Sequence, residues 1–146
     1  MFTLRLARRQ ESMNIRRLIW QVHINPLGLG WSRFLLAVDP ADQLLGCGQL
    51  KPHRDGSIEL ASIAVQAGYR QQGIARAVIE RLLGDTGRPV YLFCASPMQT
   101  FYERFSFRVI APFEMPPTFR HEWSLIDRLQ KIFPKTTANL LVMKLD

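Results

Sequence analysis

Between Ser57 and Cys94 the chain reads as a strand, a glycine-containing turn, an amphipathic helix and a second apolar strand. This order constrains the fold more than any other feature. Ser57 to Val65 has strand composition, and Gly68 interrupts the extended pattern. Ile74, Ala77, Val78, Leu82 and Leu83 then recur at helical spacing, and Gly84, Gly87 and Pro89 mark the exit. Pro89 to Cys94 is the best short buried strand in the chain. Strands joined through a helix can run parallel, whereas a tight hairpin reverses the chain. The centre of the fold is therefore expected to be a crossover unit.

The flanking segments add antiparallel strands. Phe2, Leu4 and Leu6 alternate with polar residues as in a half-buried strand, and Ile15, Leu18, Ile19 and Val22 follow at helical spacing, with Ser12 or Asn14 near the start and Asn25-Pro26 as a stop. Asn25 to Trp31 reads as a loop or a short irregular helix. Phe34 to Val38, Leu44 to Leu50 and Ser57 to Val65 are three strands separated by the turns Asp39 to Gln43 and Lys51 to Gly56. Met98 to Arg104 is expected to be a short helix, Phe105 to Ile110 a strand, and Ala111 to Pro117 a loop. Trp123, Ile126, Leu129 and Ile132 form an apolar stripe on a further helix, and Ala138 to Leu145 closes the chain as a strand. The expected class is an α/β (α+β) single domain over residues 1–146, with a mixed sheet and helices on its faces.

Composition narrows the function classes. A chain of 146 residues that is 47% apolar can bury a substantial core as one unit. The net charge of +7 suits polyanions, anionic membranes or a phosphorylated ligand, and does not choose among them. Arg5, Arg8, Arg9, Arg16 and Arg17 concentrate near the start, but no recognisable nucleic-acid module accompanies them, so a solvated basic surface is preferred to a nucleic-acid binder. Cys47 and Cys94 lie in apolar surroundings and far apart, which favours reduced core thiols. No long apolar span or secretory signal is visible, and the cytoplasm is the expected location. His23, His53 and His121 are scattered without metal-ligand spacing, and no required metal is expected.

The turn Arg70-Gln71-Gln72-Gly73-Ile74-Ala75 opens a helix, where unsatisfied N–H groups and the helix dipole attract anions. Gly73 permits close backbone approach, Ala75 limits crowding, and Arg70 and Arg76 add positive potential. The turn lacks both Walker-loop and dinucleotide glycine spacing. Read by itself, it is compatible with an anion site and with an ordinary structural turn.

Ile58 to Val65, followed by Gly68 to Arg76, resembles the central motif of the GCN5-related N-acetyltransferase (GNAT) superfamily, and Phe101-Tyr102-Glu103-Arg104-Phe105-Ser106-Phe107 resembles its second cofactor-side motif. Arg70 to Ala75 matches the superfamily's pattern of Arg or Gln, two variable residues, Gly, one variable residue, then Gly or Ala. The resemblance implies a twisted, mostly antiparallel sheet whose central parallel strands splay apart. It also implies binding of acetyl-coenzyme A. Backbone amides of Gln71, Gln72, Gly73, Ile74, Ala75 and Arg76 would hold the pyrophosphate, and the backbone of Ile63 and Val65 would pair with the pantetheine arm. Ser106 departs from the glycine common at its position, and a left-handed turn costs more for serine.

An attacking amine must first lose a proton. Glu59 is the general-base candidate, since alternation would place it on one face with Ala61, Ile63 and Val65, and the superfamily often has glutamate here. A salt-bridged strand carboxylate is the bland alternative. Tyr102 matches the superfamily's tyrosine near the cofactor sulfur and can protonate the departing thiolate; packing among Phe101, Phe105 and Phe107 is its alternative role. Cys94 reads as structural, because no activating histidine arrangement is evident. The expected reaction is direct transfer of an acetyl group from acetyl-coenzyme A to a primary amine of a small molecule, amino acid or peptide, by a monomer or homodimer. Asn25 to Arg33 and Ala111 to Trp123 are candidate acceptor loops, with core or oligomer contacts as the alternative role of their aromatics, and Arg120, Arg128, Lys131 and Lys135 are candidates either to attract an acidic acceptor or to form a solvated helix face. A non-catalytic coenzyme A sensor is the competing class.

Overall fold

The computed structural model describes residues 1–132 and 139–146. Among the described residues there are seven strands: β1 Thr3–Leu6, β2 Phe34–Val38, β3 Leu44–Pro52, β4 Ile58–Val65, β5 Val90–Ala95, β6 Arg108–Val109 and β7 Leu140–Leu145. They form a sheet in the order β1-β2-β3-β4-β5-β7-β6. The helices are α1 Ser12–Gln21, α2 Ile74–Gly84, α3 Gln99–Glu103 and α4 Pro117–Ile132. β4 and β5 pair in parallel, with Glu59 opposite Tyr91. The β1–β2, β2–β3, β5–β7 and β6–β7 pairs are antiparallel. The fold is thus the expected α/β class, with a mostly antiparallel sheet flanked by helices and a parallel pair bridged by α2.

The chain divides into two compact units, one of residues 1–51 and 60–86, the other of residues 52–59 and 87–146. In the first, all five residues of β2 are buried because the strand is covered on both faces. Phe34, Leu36 and Val38 pack with Ile15, Leu18 and Ile19 of α1, together with Cys47 and Ala64. Removing Ile15, Leu18 and Ile19 from water contributes about 1.5–3 kcal/mol apiece. α2 also packs against β2, and the two-residue period turns Leu35 and Ala37 to that other face. Gly46 and Gly48 of β3 allow the close approach. A Cβ on Gly48 would lie 2.6 Å from Ile63 Cδ1 and 2.8 Å from Val78 Cγ1, and one on Gly46 would lie 2.7 Å from Ile74 Cγ2.

The second unit is built around aromatic rings. Phe119 of α4 is fully buried, stacks on Phe93 at 4.7 Å and meets Tyr91 at 5.3 Å. Ile110, Met115 and Val142 complete this core, with Trp123 at its edge. Asp55 accepts a hydrogen bond from the Thr118 N–H at 3.0 Å, satisfying an orphan donor in the first turn of α4.

Several expectations shift. The helix expected around the apolar stripe is present as α4, and Ile126, Leu129 and Ile132 of that stripe are 37%, 51% and 66% exposed. The helix instead seats Phe119 and the half-buried Trp123, one turn apart, and its later turns carry the exposed stripe. The strand expected over Phe105 to Ile110 contracts to Arg108–Val109, because Ser106 has φ 72° and breaks the extended run before it. The closing strand begins at Leu140; Ala138 and Lys135 lie outside the described residues.

Candidate active site

The first unit contains the turn and the strand that leads into it. Gln66 ends β4 with its N–H on the Leu45 carbonyl at 2.8 Å and its side-chain amide on the Leu44 carbonyl at 3.0 Å. A short 3₁₀ turn, Ala67–Tyr69, follows. Arg70 is extended, Gln71 is left-handed at φ 62°, and Gly73 is left-handed at φ 80° and caps α2. Left-handed residues alternating along the turn make a concave backbone, and the first helical turn supplies N–H groups that have no intrahelical acceptor. Arg70, Gln71, Gln72 and Gly73 are exposed, whereas Ile74 is 2% exposed and anchors the turn in the core. Nothing lies within 4 Å of a Cβ built on Gly73, so the space over it is open. This shape fits an oxyanion or pyrophosphate held by backbone amides. Arg76 contributes less charge than expected, since its Nε lies 2.7 Å from Glu80 Oε1.

Ile63 and Val65 both face α2, as their contacts with the built Cβ atoms of Gly48 and Gly46 show. Ser62 has φ 60° within β4 and interrupts the pleat. Its hydroxyl accepts a 2.8 Å hydrogen bond from Gln49 Nε2, and Gln49 is fully buried. The same amide nitrogen donates to the Gly28 carbonyl at 3.1 Å, while Arg33 Nε donates to Gln49 Oε1 at 3.1 Å. Part of the loop Asn25 to Arg33 is thereby tied to β3 and β4.

The second unit holds both proton-transfer candidates. Glu59 is 7% exposed, and its Oε1 lies 2.8 Å from His53 Nε2. The His53 ring meets Phe119 edge-on at 5.5 Å. The turn carrying His53 is closed by His53 N–H on the Ser57 carbonyl at 2.9 Å and Gly56 N–H on the His53 carbonyl at 3.0 Å. Burial disfavours the Asp55 carboxylate, but hydrogen bonds from Ser57 and Thr118 outweigh it and hold the group well below the usual carboxylate range. Scattered histidines in the sequence hid the His53 partnership. The available signal was a short turn, Lys51 to Gly56, followed at once by the Glu59 strand.

Tyr102, on α3, packs edge-on to Phe101 at 5.0 Å and Phe107 at 6.2 Å. Burial first, and the neighbouring Cys94 second, push its phenol above the ordinary tyrosine range. The phenol is therefore protonated near neutrality and able to donate. Cys94 is itself pushed up to about 11 by burial, and its Sγ lies 3.6 Å from Met143 Sδ, which suits a structural thiol. Ser106 keeps the left-handed conformation usual for glycine, so the turn after α3 is retained at a conformational cost.

Other candidates have local partners. Arg120 donates to the carbonyls of Pro112 and Met115 at 3.0 Å each, holding the loop that enters α4. Lys131 pairs with Asp127 at 3.2 Å. Arg5 pairs with Glu11 and Asp42, and Arg8 with Asp42, so part of the basic N-terminal cluster is locally neutralised. Among the described residues no group of three or more His, Cys, Asp or Glu side chains is placed to hold a metal ion, and no helix is long and apolar enough to cross a membrane.

No curated protein matches the sequence. The fold is similar to solved structures of low identity. Rv2747 from Mycobacterium tuberculosis, in complex with CoA and NLQ, has TM-score 0.72 and 20% identity, covering 98% of each chain. An acetyltransferase of the GNAT family from Staphylococcus aureus has TM-score 0.71 and 15% identity, covering 99% of this chain and 98% of that one. N-acetylglutamate synthase from Neisseria gonorrhoeae, complexed with coenzyme A and N-acetyl-glutamate, has TM-score 0.73 and 21% identity; the match covers all of this chain and 35% of that one. The family model described as the acetyltransferase (GNAT) domain matches residues 30–109, the stretch holding the amide-lined turn, Glu59 and Tyr102, and the chain belongs to the GNAT acetyltransferase family.

Proposed function

We propose that residues 1–146 form one N-acetyltransferase domain that transfers an acetyl group from acetyl-coenzyme A to a primary amine of a small molecule, amino acid or peptide. The observation that carries this reading is the pair of left-handed residues Gln71 and Gly73 at the N-terminus of α2, within a chain of the GNAT family. The backbone amides of Gln71 through Arg76 hold the pyrophosphate, and Ile63 and Val65 offer main-chain groups to the pantetheine arm. Coenzyme A in the Mycobacterium and Neisseria structures supports the donor class, and the N-acetyl-glutamate of the latter supports an amino-acid acceptor. The buried free thiols of Cys47 and Cys94 support a reducing, cytoplasmic setting.

The thioester supplies an activated acyl group, and the chain's own residues manage protons. Glu59 takes one proton from the acceptor ammonium, which frees the lone pair for attack. The C–N bond forms, the C–S bond breaks, and Tyr102 gives its proton to the departing sulfur. A second proton from the former amine restores Tyr102. One proton is released in each turnover. A backbone N–H near Ile63 or Val65 polarises the carbonyl oxygen.

The test is an acetyl-coenzyme A turnover screen against small amines, amino acids and peptides with mass detection of the product, repeated with Glu59→Gln and Tyr102→Phe. Acetylated product in the wild type and losses of about 100-fold in each variant are expected. Coenzyme A binding without product across the panel would favour a sensor instead.

A further inference from the structure

Between α1 and the turn joining β2 to β3, the first unit holds a cavity of about 370 Å³, a volume suited to a small molecule. Leu18 and Leu45 line it at 2% and 4% exposure and give it an apolar floor. Arg17 of α1 and Asp39 of the turn line it with opposite charges. Among the described residues, Arg17 has neither an ion pair nor a hydrogen bond. The other acids beside it in the chain and in the turn are engaged elsewhere, Glu11 by Arg5 and Asp42 by Arg5 and Arg8.

The walls are set before any ligand arrives. Asp39 Oδ1 accepts the N–H groups of Ala41 and Gln43 at 2.9 Å each, which fixes the carboxylate on its turn and leaves Oδ2 for another donor. Gln66 donates its side-chain amide to the Leu44 carbonyl at 3.0 Å and its N–H to the Leu45 carbonyl at 2.8 Å, so the wall at the end of β4 is fixed as well. Asn14 and Gln21 stand one helical turn before and after Arg17 and line the same cavity, with amides able to donate and accept. A concavity with an apolar floor focuses the field of the charges on its rim. A bare anion there would meet Asp39, and a bare cation would meet Arg17. A molecule that carries both charges satisfies both groups.

We infer that this cavity binds a free amino acid through both of its charges, the carboxylate on Arg17 and the ammonium on Asp39 Oδ2, with its aliphatic carbons over Leu18 and Leu45. Tyr69 lines the cavity from the other side and immediately precedes Arg70, so the ligand adjoins the turn proposed to hold pyrophosphate. Neither Glu59 nor Tyr102 lines the cavity. The inference therefore does not rest on acetyl transfer, and a bound amino acid here is a second ligand rather than the acceptor.

The experiment is calorimetry of the full chain with the standard amino acids, β-alanine and 4-aminobutyrate, set beside propionate and propylamine, which carry one charge each. Saturable binding of an amino acid is expected, with propionate and propylamine weaker by about 10-fold or more. Arg17→Gln and Asp39→Asn should each weaken the amino acid by about 10-fold or more. Arg16→Gln, next to Arg17 but outside the cavity, should bind as the wild type does. Asp39→Asn keeps an oxygen to close the turn, and thermal melts check that each variant folds; if Asp39→Asn does not, the exposed Arg17→Gln decides. Absence of saturable binding by every amino acid overturns the inference. Equal affinity in the wild type and in Arg17→Gln places the ligand elsewhere, as at an acceptor site, and overturns it while leaving acetylation standing. Propionate or propylamine binding as tightly as the amino acid overturns recognition through two charges. A turnover screen without product removes the acetylation reading and leaves this binding result unaffected.

Discussion

Gln49 Nε2 donates a 2.8 Å hydrogen bond to Ser62 Oγ, joining a fully buried amide on β3 to the residue whose positive φ interrupts β4. A left-handed serine costs about 1–2 kcal/mol, and the Gln49 contact offsets part of that cost. Gln49→Leu keeps most of the volume but leaves the Ser62 hydroxyl, the Gly28 carbonyl and Arg33 Nε without their amide partner. A loss of about 1–3 kcal/mol is expected from urea unfolding, with KM for the acceptor raised, because the loop Asn25 to Arg33 loses one of its ties to β3, that of Lys51 to the Leu27 carbonyl remaining. Unchanged stability and unchanged acceptor KM would show that this network does not organise β4.

Gly73 separates a conformational effect from a ligand effect. At φ 80° a side chain is strained, although a Cβ meets nothing within 4 Å. Gly73→Ala is expected to cost the free protein about 1 kcal/mol. Coenzyme A affinity should fall by about 10-fold or more if the added methyl occupies the space required by the pyrophosphate. Calorimetry with coenzyme A, set beside a thermal melt of the free protein, separates the two losses.

Ser106 makes the reverse prediction. Its φ of 72° favours glycine, so Ser106→Gly is expected to raise stability by about 1 kcal/mol without altering the packing of Tyr102 against Phe107. Denaturant midpoints check the sign, and tyrosine fluorescence checks the packing. Destabilisation would mean that the serine side chain contributes more than its backbone strain costs.

Cys47 imposes a pH limit from the alkaline side. Burial pushes its thiol up to about 12 from 9.0. Between those values the unfolded chain has lost the thiol proton while the folded chain keeps it, so the folded state binds more protons and stability falls as pH rises. The greatest loss traceable to this group is on the order of 4 kcal/mol, approached near pH 12 and absent below about pH 8. Unfolding free energies of wild type and Cys47→Ala, measured from pH 8 to 11, should diverge in their slopes. Parallel slopes would remove Cys47 as the cause.

The sequence by itself determined the crossover order around β4, α2 and β5, because glycine breaks and the change between strand and helix periods are local properties of the chain. It also determined the amide-lined turn through the motif from Arg70 to Ala75. Only the tertiary structure decided that Ser62 takes a positive φ within β4 and that Ile63 and Val65 face α2, since the Ser62 hydroxyl is held by Gln49, a residue distant in sequence. The same limit hid the His53 contact with Glu59, which depends on how one turn brings its ends together and where Phe119 seats the ring. The exposure of the stripe on α4 was hidden in the same way. Periodicity reveals which residues share a helix face, but only packing reveals which part of that face meets the core.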